Sequence, residues 1–126
     1  MNFILFDMDG VIVETEQFKA AAHTAAAERF GGRVPADLYP SVMGQTHTHV
    51  RAAFIRASGF AVDPAVYTQI YREVYHDLLI AGLRTVPGVS ELLQRLHANG
   101  YLLGLVTSSS TQSAQIVLDM LVETGV

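Results

Sequence analysis

The chain has 126 residues, half of them hydrophobic and 16% charged, with a formal net charge of −4 at pH 7. That length suits a domain that buries roughly two-thirds of its unfolded surface, and the composition excludes a disordered chain. With no cysteine and one lysine, and no basic stripe among its arginines, disulfides, thiolate metal sites and a nucleic-acid footprint are excluded.

No apolar run reaches the roughly 18 residues of a membrane span. The N-terminus lacks the pattern of a signal peptide, because Asp7 and Asp9 interrupt it. The expectation is a cytoplasmic protein with no membrane and no nucleic-acid partner.

The first element is "NFILFD" (2–7), continuously apolar, which predicts a buried strand. From Thr15 to Phe30 the period becomes helical, with Phe18, Ala22, Ala25, Ala26 and Phe30 on one face and Gly31–Gly32 as the stop. A short helical segment broken by Pro40 is expected around 36–42. Val50, Ala53, Phe54 and Ala57 mark the next helix, closed by Ser58–Gly59. Asp63–Pro64 pairs an N-cap with a first-position proline. It opens a helix that carries Val66, Ile70, Val74 and Leu78 on one side and runs to Gly82.

Pro87–Gly88 opens another helix, with Val89, Leu92, Leu93 and Leu96 apolar and Asn99–Gly100 as its stop. "YLLGLVT" (101–107) is a second buried strand. The last helix, over 111–123, turns Ala114, Val117, Leu118 and Leu121 inward. The order predicts an α/β fold: 1–14 and 85–126 form parts of one parallel-stranded layer, and 15–84 is an inserted helical unit.

Asp7 closes the first strand, at the end where open α/β sheets place their ligands. Asp9 lies two residues on, so both carboxylates can turn to one side, and Gly10 lets the backbone leave at once. Convergent carboxylate oxygens suit a hard cation such as Mg²⁺. Alone, Asp-x-Asp is also a common acidic turn. The second strand ends "LVTSSST", which puts Thr107 and Ser108 at a helix start, where backbone N–H groups and hydroxyls can hold an anion. One of Ser109, Ser110 and Thr111 is expected to cap that helix as well. A cation-holding pair beside an anion-holding loop describes a place for a phosphoryl group.

"FDMDGVIVETE" resembles the first signature of the haloacid dehalogenase superfamily, and "VPGVSELLQRLHANGYLLGLVTSSS" resembles the segment leading into its second. The helical unit resembles the small cap of the phosphoglycolate phosphatase and β-phosphoglucomutase-like branch. The resemblance implies a partial Rossmannoid core with an inserted helical cap, and a Mg²⁺-dependent phosphatase acting on a small phosphorylated metabolite. By that resemblance Asp7 is the nucleophile and a metal ligand. Asp9 is the acid/base, with its backbone carbonyl on the metal, and Thr107 with the N–H of Ser108 binds phosphate. A second aspartate is needed for proton transfer to an oxygen leaving group, so Asp9 favours phosphoryl transfer over carbon–halogen cleavage.

"MGQTHTH" (43–49) is similar to the family's substrate-facing cap loop and contributes Gly44 and His47. Glu14 stands where relatives have Asp. Lys19 falls where β-phosphoglucomutases carry a histidine, and His47 where mutases carry an arginine for a second phosphate, so a simple phosphatase is favoured over a mutase. His47 and His49 also read as solvent-facing residues at a helix start.

The superfamily's later signatures, a lysine and an acidic pair, have no match. After Thr107 there is no lysine, and the only acids are Asp119 and Glu123. The expectation is therefore the N-terminal part of a longer phosphatase, inactive alone. Two alternatives are a non-catalytic binding module derived from such an enzyme and a phosphoacceptor signalling domain. The second fits poorly, since its acidic pair would precede the phosphoacceptor strand.

Overall fold

The structure, a computed structural model, describes residues 2–125. In chain order the elements are β1 (Phe3–Asp7), α1 (Glu16–Glu28), α2 (Leu38–Val42), α3 (His47–Ser58), α4 (Pro64–Gly82), α5 (Val89–Ala98), β2 (Leu102–Val106) and α6 (Thr111–Glu123). They divide into two compact units. One consists of residues up to Glu16 together with those from Leu79 onward; the other is Gln17–Leu78.

In the first unit β1 and β2 pair in parallel, with Phe3 opposite Leu102 and Asp7 opposite Val106. The two strands anticipated from the apolar runs are thus adjacent, and both end at one edge. Past Asp7 the chain turns tightly: the carbonyl of Met8 accepts from the N–H groups of Ile12 and Val13 at 3.0 and 3.2 Å. Gly10 makes that turn with φ at +77°, a left-handed conformation that costs glycine nothing. Residues 12–14 then run beside 84–86, where Val86 donates to Ile12 and Glu14 to Arg84. Met8, Ile12 and Val13 pack with Leu93 of α5 and with Val117 and Leu121 of α6. Burying each such side chain contributes roughly 1.5–3 kcal/mol.

The strands are not buried on both faces, as continuous apolar runs predict. Phe6, Leu103 and Leu105 pack on the core, but Phe3 and Leu5 are 60% and 59% exposed and Leu102 and Val106 are also open. Side chains alternate across a strand, and only one sheet face is covered by the packed helices of this unit. On α5 and α6, Leu93, Val117 and Leu121 are buried, while the apolar Leu92 and also Leu118, expected inside, are exposed.

The second unit departs from the predicted stripes in an instructive way. On α4 the buried positions are Tyr67, Tyr71, Tyr75 and Leu79, one residue round from the expected aliphatic row, and Val66 is 45% exposed. A tyrosine buries more area than a valine and keeps a polar tip that can be satisfied. On α1 the buried set is Ala22, His23, Ala26 and Ala27, which adds a histidine that apolar periodicity passes over. Pro40 does not break α2 but sits inside its first turn, where the missing N–H has no helical partner to lose. Asp63 caps α4 as expected, accepting from the Ala65 N–H at 2.8 Å. Among the described residues no helix is long and apolar enough to cross a membrane.

Candidate active site

Beyond the carboxyl ends of β1 and β2 four side chains of the first unit meet, those of Asp9, Thr15, Thr107 and Ser109. Asp7 is the last residue of its strand and is exposed; its Oδ1 accepts from the Met8 N–H at 2.9 Å. Asp9 is half-buried, and its carboxylate gathers hydroxyls from three segments. Oδ1 accepts from Thr15 at 2.7 Å, while Oδ2 accepts from Thr107 at 3.2 Å and from Ser109 at 2.9 Å. Distances of this kind are ordinary for O–H···O bonds at the short end and weaker near 3.2 Å.

Thr107 also accepts the Ser109 N–H at 3.0 Å, which folds the loop after β2 back on itself. Ser108 lies exposed between them. The cap of α6 is Ser110, whose side chain accepts from the Ser113 N–H at 3.2 Å. Thus Asp9, Thr107 and the serine loop meet, and Asp7 stands on the neighbouring strand end. The sequence pattern offers Ser109 only as one of three candidate helix caps and carries no signal for Thr15. The run of three serines is the signal for Ser109: one suffices as a cap, leaving others for the site.

The donors here are hard oxygens, the kind Mg²⁺ prefers. The Asp9 side chain is engaged by three hydroxyls, so the open carboxylate is that of Asp7. Among the described residues no group of three or more His, Asp or Glu is placed to hold a metal ion. An exposed carboxylate such as that of Asp7 suits a hard cation that keeps most of its waters, and not a closed protein cage.

The other two predicted positions, Gly44 and His47, lie in the second unit. Gly44 is exposed with φ at +87°, and His47 is the exposed first residue of α3. Its Nε2 lies 3.4 Å from the Thr68 hydroxyl, to which Arg51 donates at 3.0 Å. Partial burial, then the charges of Arg51 and Arg72, hold the His47 imidazole below its ordinary pKa. The more perturbed histidine is His23. It stacks on Tyr71 at 4.0 Å and Phe54 at 4.9 Å, and its Nδ1 shares a 2.8 Å hydrogen bond with the Tyr67 hydroxyl. Burial, followed by the nearby His47 and Lys19, lowers its pKa to about 3.

Parallel strands that end on a carboxylate–hydroxyl cluster, followed by a capped helix, define an α/β protein with its polar site at the sheet edge. The sequence model of the family described as haloacid dehalogenase-like hydrolases matches residues 4–123, and the chain belongs to that family. Among relatives, (DL)-glycerol-3-phosphatase 2 of Arabidopsis thaliana is 26% identical over 113 residues, covering 89% of this chain and 47% of the relative. The phosphorylated carbohydrates phosphatase of Thermotoga maritima is 26% identical over 114 residues, covering 90% of this chain and 53% of the relative. A haloacid dehalogenase-like family hydrolase from Streptococcus pneumoniae superposes with a TM-score of 0.74 at 26% identity, covering 96% of this chain and 56% of that one. The chain spans about half the length of the curated relatives it matches.

Proposed function

We propose that the chain carries the nucleophile and the proton-transfer carboxylate of a Mg²⁺-dependent phosphatase that hydrolyses a small phosphorylated metabolite through an aspartyl-phosphate. The observation that carries this reading is the contrast between the two carboxylates. Asp7 is exposed at its strand end, while Asp9, two residues on, is half-buried and held by three hydroxyls. An attacking group must reach its substrate, whereas a proton carrier must be held in a fixed place.

In this reading an Asp7 oxygen attacks phosphorus and the bond from phosphorus to the ester oxygen breaks. Protonated Asp9 gives its proton to that oxygen, so an alcohol leaves. The resulting Asp9 carboxylate then takes a proton from water, whose oxygen attacks phosphorus, releasing inorganic phosphate and restoring the Asp7 carboxylate. Hydroxyls suit both states of Asp9, since each can donate to the carboxylate or accept from the acid. Thr107 and the Ser108 N–H are the proposed holders of the phosphoryl oxygens. A bound Mg²⁺ would supply charge stabilisation for the transferring group.

Residues 15–84 correspond in this reading to the small helical cap of the β-phosphoglucomutase-like branch, with Gly44 and His47 in its substrate loop, and the protein is cytoplasmic. The test is turnover of a small phosphomonoester with and without Mg²⁺, in the native chain and in Asp7→Asn. The reading expects Mg²⁺-dependent release of phosphate, however slow, that Asp7→Asn abolishes. Phosphate release that survives Asp7→Asn unchanged would overturn it.

A further inference from the structure

Three hydroxyls converge on Asp9, yet they do not have the same freedom. Thr107 is committed twice, donating to Asp9 Oδ2 at 3.2 Å and accepting the Ser109 N–H at 3.0 Å. A hydroxyl has one proton to donate. If the Thr107 hydroxyl turns that proton to a phosphoryl oxygen, as the proposed function requires, its bond to Asp9 is given up at that moment. Ser109 holds the same carboxylate oxygen at the shorter distance of 2.9 Å, and its side chain has no part in the proposed phosphate contacts. Thr15 holds the other oxygen at 2.7 Å from a fully buried position.

We propose that Ser109 is a positioning residue: its hydroxyl keeps the Asp9 carboxylate in place independently of Thr107, so that Thr107 can serve the substrate without releasing the proton carrier. The inference rests on the phosphatase reading for its purpose but not for its geometry. The loop assigns one role to each polar group. The Thr107 side chain goes to Asp9 and, in the reaction, to the phosphoryl group. The Ser109 side chain goes to Asp9, and the Ser110 side chain caps α6 through Ser113. Two bonds to the two carboxylate oxygens, from Thr15 and Ser109, are enough to fix both side-chain torsions of Asp9. A single bond leaves the carboxylate free to pivot about its contact.

The test reads the Asp9 side chain directly. Three-bond couplings from the backbone nitrogen and carbonyl carbon to the Asp9 carboxyl carbon report whether one staggered rotamer is occupied. The native chain and Thr107→Val should both show one rotamer, because Ser109 and Thr15 remain. Thr107→Val/Ser109→Ala should show averaged couplings, and Thr107→Val/Ser109→Thr, which restores a hydroxyl, should recover the single rotamer. Thr107→Val and Ser109→Ala each remove a hydroxyl without adding bulk, and Thr107→Ala replaces the valine if that variant does not fold.

Averaging already in Thr107→Val would make Thr107 the holder and overturn the proposal. A single rotamer persisting in the double variant would overturn it equally. Titration of the native chain with inorganic phosphate and Mg²⁺ separates the two readings. Signals of Thr107 that do not move count against the phosphatase reading, while the rotamer series still decides the role of Ser109.

Discussion

Thr15, with none of its surface exposed, donates its hydroxyl to Asp9 Oδ1 at 2.7 Å. Two residues beyond the bridge of Val13 with Asp9 and Thr85, it ties residue 15 to the turn that follows β1. Thr15→Val keeps the volume and removes the donor, leaving a half-buried carboxylate with one bond fewer. The expected loss is about 1–3 kcal/mol of stability, read as a lower denaturant midpoint with an unchanged slope. Thr15→Ser should retain most of what valine loses.

His23 makes the helical unit acid-sensitive. Its folded-state pKa of about 3, lowered first by burial and then by His47 and Lys19, lies below the ordinary value near 6.5. As pH falls, the unfolded chain therefore takes up the proton first. The stability contributed by neutral His23 is complete above about pH 6.5 and is lost progressively as pH falls towards 3. The unfolding temperature should drop between pH 7 and pH 4, and His23→Phe should make that drop shallower. His47 and His76, whose pKa values are lowered in the same direction, leave a residual slope.

Gly32 is a position where a methyl group has no room. A Cβ there would come within 2.6 Å of both the Cα and the carbonyl oxygen of Ser58, and that neighbour is backbone at the end of α3. Gly32→Ala should cost about 1–3 kcal/mol through overpacking, measured as a fall in unfolding temperature.

How much was legible in the sequence depends on what kind of signal each element carries. Apolar runs and punctuating glycines and prolines located both strands and the principal helices, because backbone propensity and periodicity are local. The buried face of α4 lies one residue round from the aliphatic row, since Tyr67, Tyr71 and Tyr75, with Leu79, fill the interior mostly with rings that an aliphatic pattern ignores. His23 leaves no periodic trace in the sequence, since its burial depends on aromatic partners from other helices. At the site, Asp7, Asp9 and Thr107 were visible as strand-end residues. Ser109 and Thr15 were not, because their roles depend on a carboxylate 100 and 6 residues away in sequence. The openness of Phe3 and Leu5 was hidden too, since an apolar run does not say how many faces of its strand are covered.

The most direct measurement is to find the phosphoryl group on the protein. The chain is incubated with a small phosphomonoester and Mg²⁺, quenched in acid and reduced with borohydride, which converts an aspartyl-phosphate to homoserine. The residue converted is then located by peptide mass spectrometry. The account predicts homoserine at position 7 and nowhere else, and no conversion in Asp7→Asn. Phosphate released without conversion at Asp7, or a phosphoryl group trapped on a different residue, would contradict it.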